Sequence, residues 1–174
     1  IGANKPTLAV TNSVPAIKLG STTFLAGTLG TAYAGNPETW VGILYNPNPT
    51  VQWYPFVFDA AGGAAELDYL NFQGTSMEWR INNSVVGGGP VFVSNAGTAF
   101  IYRCVAAADG TWTTDKYTLA GAEVVSNTGT LSNRSHGTAL KYGYSSNTSD
   151  GEIAFQMHIN KAVTGAEWTA LLAD

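Results

Sequence analysis

The residues best suited to acid–base chemistry are the carboxylates Glu66 and Asp68, two positions apart in the chain. On a β-strand this spacing places both side chains on the same face. Hydrolysis of a glycosidic bond needs two carboxylates about 5–5.5 Å apart for retention, or about 6.5–9.5 Å apart for inversion. The segment from Glu66 to Asn71 contains no third acid, and the other acids are scattered. We therefore predict a solvated strand edge here, with no catalytic residue.

The histidines and the cysteine do not form a pattern typical of nucleophilic catalysis or of a transition-metal site. His136 lies in a polar stretch beside Ser135, His158 lies in an apolar alternating run, and neither is accompanied by a Gly-x-Ser-x-Gly elbow. We expect His158 to face outward or to have a hydrogen-bond partner. The single cysteine, Cys104, excludes an internal disulfide and a cysteine-rich zinc site.

Calcium is the one metal for which the sequence offers ligands, because Ca²⁺ needs only carboxylate and carbonyl oxygens. The segments Asp109–Asp115 and Asn147–Asp150 supply such oxygens, although without the spacing of an EF-hand. Asp109, Asp115 and Asp150 are therefore the candidate calcium ligands, and no other cofactor is expected.

Aromatic residues in polar segments give the main indication of a binding site. Trp53 and Tyr54 follow a proline turn, and Trp112 lies in the sequence Gly-Thr-Trp-Thr-Thr. Flat aromatic faces at loop tips can stack on sugars, with Asn and Asp as hydrogen-bond partners, so Trp53, Tyr54, Trp112 and Asn147 are the candidate glycan-binding residues. The same rings would fit a contact with another protein subunit, and burial within their own domain is the remaining alternative.

The elements that must position these residues read as β-strands. Short alternating or apolar runs recur between clusters of Gly, Pro, Asn, Ser and Thr, and helical periodicity fails over most of the chain. About ten strands at this spacing are typical of a β-sandwich. The predicted strands are Ala16–Leu19, Thr22–Leu25, Thr39–Tyr45, Tyr54–Phe58, Glu66–Phe72, Ser76–Ile81, Val91–Val93, Thr98–Ala107, Thr113–Leu119, Glu123–Ser126, Thr138–Tyr144 and Gly151–Asn160.

One strand carries a clear two-residue period. In Phe100-Ile101-Tyr102-Arg103-Cys104-Val105 the first, third and fifth residues share one face of the strand. The pattern predicts one face in the core and one face only partly in contact with water. Cys104 is then a small core residue rather than a reactive thiol.

The chain ends in a predicted helix. Residues 164–167 fit the capping box Thr-x-x-Glu, in which Thr164 accepts from the Glu167 N–H and Glu167 reaches back to the Thr164 N–H. Trp168 and two leucines follow at helical spacing and form an apolar stripe. We predict a short C-terminal helix that docks on the sandwich through Trp168.

Composition limits the classes of partner. Charged residues make up 11% of the 174-residue chain, the net charge is −4, and only 8 residues are Lys or Arg. Proteins that bind nucleic acid neutralise phosphates with clustered Lys and Arg, so nucleic acid is not an expected partner. No apolar run approaches the ~18 residues of a membrane-spanning helix, so membrane insertion is not expected either.

The C-terminal segments resemble a known family. Asp150-Gly151-Glu152-Ile153-Ala154 and Ile159-Asn160-Lys161-Ala162-Val163-Thr164-Gly165-Ala166-Glu167 are similar to the closing signature of the laminin-G-like, concanavalin-A-like lectin/glucanase superfamily. In that signature an Asp-Gly turn opens the last strand, here at Gly151, and a short capped helix carrying Glu follows. Val163 stands where Leu is commoner. Upstream, Ala16–Ser21, Tyr117–Val124 and Ala139–Gly143 resemble earlier strands of the family.

The resemblance implies an all-β jelly-roll sandwich of two antiparallel sheets over residues 16–174, with a short C-terminal helix. Residues 1–15 are predicted to form an N-terminal arm or an edge strand. Glucanases of the superfamily carry Glu-x-Asp-x-Glu, and the pair at Glu66 and Asp68 lacks the third acid.

This fold hosts lectins, glycanases, adhesion modules and structural virion domains. We predict a non-catalytic binding or adhesion domain that recognises carbohydrate and is displayed outside the cell or on a virion surface. The alternative is a structural or decoration protein of a virus or phage particle, whose partners are neighbouring subunits of a homo-oligomer or of a larger particle. A glycan hydrolase or lyase is the third reading.

Overall fold

The computed structural model describes residues 7–11, 13–19, 25–28, 37–45, 53–60, 68–73, 76–81, 84–85, 92–93, 97–130, 136–144 and 151–173. Within these ranges the chain forms β-strands and one C-terminal helix. They are β1 (Thr7–Thr11), β2 (Val14–Leu19), β3 (Leu25–Thr28), β4 (Glu38–Tyr45), β5 (Trp53–Ala60), β6 (Asp68–Gln73), β7 (Ser76–Ile81), β8 (Ser84–Val85), β9 (Phe92–Val93), β10 (Phe100–Ala106), β11 (Thr111–Tyr117), β12 (Glu123–Thr130), β13 (His136–Tyr144), β14 (Gly151–Ile159) and α1 (Gly165–Ala173).

The strands form two antiparallel sheets. Sheet A has the order β1-β2-β14-β4-β10-β11-β12, and sheet B has the order β3-β13-β5-β6-β7-β8, with β9 also paired to β7. The predicted fold class, an all-β two-sheet jelly-roll sandwich with a short C-terminal helix, is confirmed. The helix α1 is nine residues long, and no helix in the described ranges has the length and apolar character that crossing a membrane requires.

Most predicted strands coincide with observed ones, but β11 begins at Thr111, β12 continues to Thr130 beyond its predicted end at Ser126, and β13 begins at His136 rather than Thr138. Of the predicted strand Thr22–Leu25 only Leu25 lies within the described residues, where it begins β3. The short strand β8 is absent from the predicted strands, and its Val85 and Ser84 pair with Arg80 and Ile81 of β7. The N-terminal segment contributes an edge strand, β1, which was one of its two predicted forms.

The alternation predicted for β10 is observed. Phe100, Tyr102 and Cys104 are 2%, 1% and 1% exposed and form part of the core. The ring of Tyr102 lies directly over Gly42 of β4, where a Cβ atom would come within 2.4 Å of the Tyr102 Cε1. Any side chain at position 42 would therefore displace the Tyr102 ring. Cys104 is buried as predicted.

The opposite face of sheet A is covered by α1. Trp168 is 6% exposed and packs into a cluster with Val41, Tyr117 and Val163. Its ring centroid lies 5.2 Å from that of Tyr117. The predicted docking of the helix through Trp168 is confirmed, and β4 is consequently buried on both faces along most of its length.

Candidate functional site

The start of α1 matches the sequence prediction in position but not in its contacts. The helix begins at Gly165, so Thr164 occupies the predicted cap position. Gly165 adopts a φ of 53°, a left-handed conformation that favours glycine. In the described structure the Glu167 carboxylate contacts the Lys161 ammonium rather than the Thr164 amide. An ion pair across the connector thus replaces the reciprocal bonds of a capping box.

Arg103 links sheet A to the helix. Its Nε donates to Asp115 Oδ2 at 2.7 Å, and its Nη2 lies 2.5 Å from the same oxygen. The guanidinium also lies over the Trp168 ring, 4.7 Å from the ring centroid, and 5.9 Å from that of Tyr117. Stacking of a partly desolvated cation on aromatic faces is favourable. The Arg103 side chain therefore joins β10, β11 and α1 into one unit.

This arrangement contradicts the assignment of Asp115 as a calcium ligand. Asp115 is fully buried on β11, and its carboxylate is bound by Arg103. Asp109 is exposed in the turn before β11, where its Oδ1 accepts the Thr111 N–H at 2.8 Å. The described residues contain no group of three or more acidic, histidine or cysteine side chains that could hold a metal. Asp150 lies outside the described residues, so its role stays a prediction.

The prediction that Trp112 is an exposed loop aromatic is wrong. Trp112 is 1% exposed and lies on β11, between Ala106 of β10 and Gly129 of β12. The reason is the tightness of the preceding turn, in which the Gly110 N–H donates to the Ala107 carbonyl at 3.2 Å. The strand therefore begins two residues earlier than predicted and carries Trp112 into the core.

The other candidate binding residues are only partly located. Trp53 and Tyr54 lie on β5 in sheet B, which begins one residue before the predicted strand Tyr54–Phe58, with Phe72 as the partner of Trp53 and Tyr144 as the partner of Tyr54. Trp53 thus lies on a strand rather than at a loop tip, and the exposure of both rings stays a prediction. Asn147 lies outside the described residues.

A polar pair that the sequence did not reveal lies where β4 begins and β14 ends. The His158 Nε2 is 2.8 Å from Glu38 Oε2, and the imidazole stacks on the Trp40 ring at a centroid distance of 3.9 Å. The side chains of Glu38 and His158 are 1% and 19% exposed. The alternative that His158 has a hydrogen-bond partner is confirmed.

The neighbouring Thr39 connects the start of β4 to the segment between β14 and α1. Its hydroxyl donates to the Lys161 carbonyl at 2.7 Å and accepts the Val163 N–H at 2.8 Å. Both bonds fasten the connector between β14 and α1 to the start of β4. This part of the molecule therefore fixes the helix on the sheet.

The docked helix creates a groove of about 580 Å³ on the outer face of sheet A. Strands β4 and β10 form its floor, α1 forms one wall, and Leu119 and Phe155 stand at its rim with 38% and 43% of their surface exposed. Its lining residues are all apolar. They are Val41, Ile43, Ile101, Leu119, Phe155, Trp168, Leu171, Leu172 and Ala173.

A second pocket of about 360 Å³ adjoins this groove, and Leu119 lines both. Val124, 54% exposed, lines its outer side. Lys116 is buried here with its ammonium 5.0 Å from the centroid of the Phe100 ring. Burial lowers the pKa of the Lys116 amine below its ordinary value. The groove therefore presents apolar surface suited to an apolar partner, whereas Thr98, Lys116 and Thr118 make the second pocket partly polar.

Comparison with known proteins identifies the fold. No family model and no curated protein matches the chain. Among solved structures, the receptor-binding domain of botulinum neurotoxin D is similar to 99% of the chain, with a TM-score of 0.73 and 11% identity, and 46% of that chain is covered. The binding domain of botulinum neurotoxin serotype G is similar to 97% of the chain, with a TM-score of 0.68, 9% identity and 46% of that chain covered.

An enzyme shares the same fold. The alginate lyase AlgAT5 of polysaccharide lyase family 7 is similar to 87% of the chain, with a TM-score of 0.55 and 11% identity, and 81% of that chain is covered. The present chain spans about half the length of the toxin domains. At these identities the likeness establishes a β-sandwich of the jelly-roll kind, and the fold alone does not decide between binding and catalysis.

Proposed function

We propose that this chain is a non-catalytic binding domain that contacts a protein subunit through the groove between α1 and sheet A. The observation that carries the proposal is the all-apolar lining, with Leu119 and Phe155 exposed at its rim. Apolar surface left in water costs about 25 cal/mol per Å², so a partner that covers this groove gains free energy. Apolar surface of this kind is typical of protein interaction sites.

Two buried acids of sheet A are held in contacts with other side chains. The buried carboxylates of Glu38 and Asp115 are bound to His158 and Arg103, respectively. Asp68 is on β6, and its predicted partner Glu66 lies outside the described residues. The likeness to an alginate lyase concerns the fold.

Glycan recognition is the second candidate function. It draws support from similarity to receptor-binding domains of toxins and to an enzyme named for a polysaccharide. Its residues would be Trp53, Tyr54 and Asn147, without the buried Trp112. A sugar site needs hydrogen-bonding side chains beside its aromatic rings, and the apolar groove offers few, so the groove itself favours a protein partner. In either version we place the domain outside the cell or on a virion surface.

Selection from a random peptide library displayed on phage tests the proposal. We expect peptides rich in Leu, Phe and Trp that bind the parent and lose at least tenfold in affinity for the Phe155→Ser variant. Leu8→Ser is the matched control, because it removes an exposed apolar side chain elsewhere and should leave peptide binding unchanged.

A glycan array run with the same proteins separates the two candidate functions. We expect no glycan to bind the parent. Glycan binding that Trp53→Ala abolishes, together with a peptide selection that yields no groove-dependent binder, would overturn the proposal in favour of carbohydrate recognition.

A further inference from the structure

The edge strand β1 is a second exposed apolar surface, remote from the groove. In the described sheet A it has β2 as its neighbour on one side and no strand on the other. Leu8 and Val10 are 90% and 72% exposed, and both lie on the same face of the strand. The strand Thr-Leu-Ala-Val-Thr contains neither a charged residue nor a proline. Those are the residues with which edge strands usually prevent pairing with another chain.

The other edge of sheet A is built differently. Strand β12 begins with the charged Glu123, and most of its exposed side chains are polar. Val124 is its single large exposed hydrophobic residue. Of the two edges, β1 is therefore the one suited to continued β-pairing.

The sequence of β1 also identifies its occupant. An antiparallel pair of two identical strands centred on Ala9 places Leu8 of one copy opposite Val10 of the other. Thr7 then faces Thr11, and each half of the interface repeats the other, as a two-fold interface requires. Apolar β-branched and aliphatic residues meet across the strands, which is a stabilising cross-strand arrangement.

We propose that β1 pairs antiparallel with β1 of a second copy of this chain, joining two copies of sheet A into one continuous sheet. The contact is independent of the proposed function, because β2 separates β1 from β14, the first strand that lines the groove. Five residues per strand bury much less than the ~800 Å² per partner of a typical stable interface. The dimer is therefore a weak one, formed in the micromolar range or above.

Sedimentation velocity over a concentration series, combined with charge variants, tests this proposal. The parent should show reversible dimerisation. The double variant Leu8→Lys/Val10→Lys brings lysines face to face across the two-fold axis and should remain monomeric, as should Leu8→Glu/Val10→Glu. Because Leu8 and Val10 are exposed, both variants should keep the circular dichroism spectrum and melting temperature of the parent.

Mixing the two double variants tests the register. A lysine at position 8 then faces a glutamate at position 10 of the other chain, and we expect a heterodimer at least as stable as the parent dimer. Val124→Lys on the opposite edge and Phe155→Ser at the groove are the controls, and both should dimerise as the parent does. A parent that stays monomeric, lysine variants that still dimerise, or a mixture that fails to associate would each overturn the proposal.

Discussion

Removal of the Asp115 carboxylate should destabilise the domain strongly. The Asp115 side chain is 1% exposed, that of Arg103 is 11% exposed, and two guanidinium nitrogens lie 2.7 and 2.5 Å from one carboxylate oxygen. Breaking a buried ion pair by removing one partner costs about 3–5 kcal/mol, since the remaining charge stays buried and unpaired. With an m-value of about 2 kcal/mol/M in urea, Asp115→Ala should lower the denaturation midpoint by about 1.5–2.5 M.

Replacement of both Arg103 and Asp115 distinguishes the cost of an unpaired buried charge from a simple loss of packing. In Arg103→Met/Asp115→Leu no charge remains, and the methionine can still lie against Trp168. Such apolar replacements of buried ion pairs are often neutral or stabilising by about 1–4 kcal/mol. We therefore expect the double variant to recover most or all of the midpoint lost in Asp115→Ala, measured by urea denaturation followed by tryptophan fluorescence.

Asp109→Ala is the matched control, since Asp109 is exposed and accepts one backbone N–H. It should cost about 1 kcal/mol or less. Calcium should leave the midpoint of the parent unchanged. A midpoint for Asp115→Ala within about 0.5 M of the parent, or a calcium-dependent stabilisation that Asp115→Ala abolishes, would refute the reasoning.

Three further predictions concern single positions. Trp112→Ala should lower the stability by about 3–5 kcal/mol, read from the urea midpoint, because the ring is buried; a melting temperature like that of the parent would contradict its place in the core. Gly42→Ala should cost about 1–3 kcal/mol by forcing the Tyr102 ring to move, whereas Gly27→Ala, with no atom within 4 Å of the new Cβ, is the control and should cost little. Burial raises the pKa of Tyr117 above its ordinary 10.0. The stability that this shift contributes is complete below pH 10 and is lost as the pH rises through the folded-state pKa. Tyr117→Phe should therefore flatten the fall of the urea midpoint at alkaline pH, and an unchanged slope would contradict this.

The parts of the fold that follow from local pattern were predictable from the sequence. The two-residue period of β10 correctly placed Tyr102 and Cys104 in the core, because alternation is a property of the extended backbone itself. The apolar stripe around Trp168 likewise predicted a docked helix. These signals are carried by neighbouring residues and do not depend on the rest of the chain.

The candidate site depends on contacts between distant segments. Glu38 and His158 are separated by 120 positions, and their pairing follows from the register of β4 against β14. The polar neighbours of Trp112 predict an exposed loop, whereas backbone hydrogen bonds form a tight turn before it and Trp112 lies on a strand. The groove exists because α1 covers part of sheet A and leaves Phe155 at its rim, which periodicity alone does not specify.

A methyl NMR titration tests the central claim most directly, namely that the groove beside α1 is the binding face. The parent is titrated with the peptide selected on phage, and the methyl resonances are followed. The account predicts saturable shifts at Ile43, Ile101, Leu119 and Leu171, which line the groove. Shifts confined to residues outside the groove, such as Leu8, would contradict it.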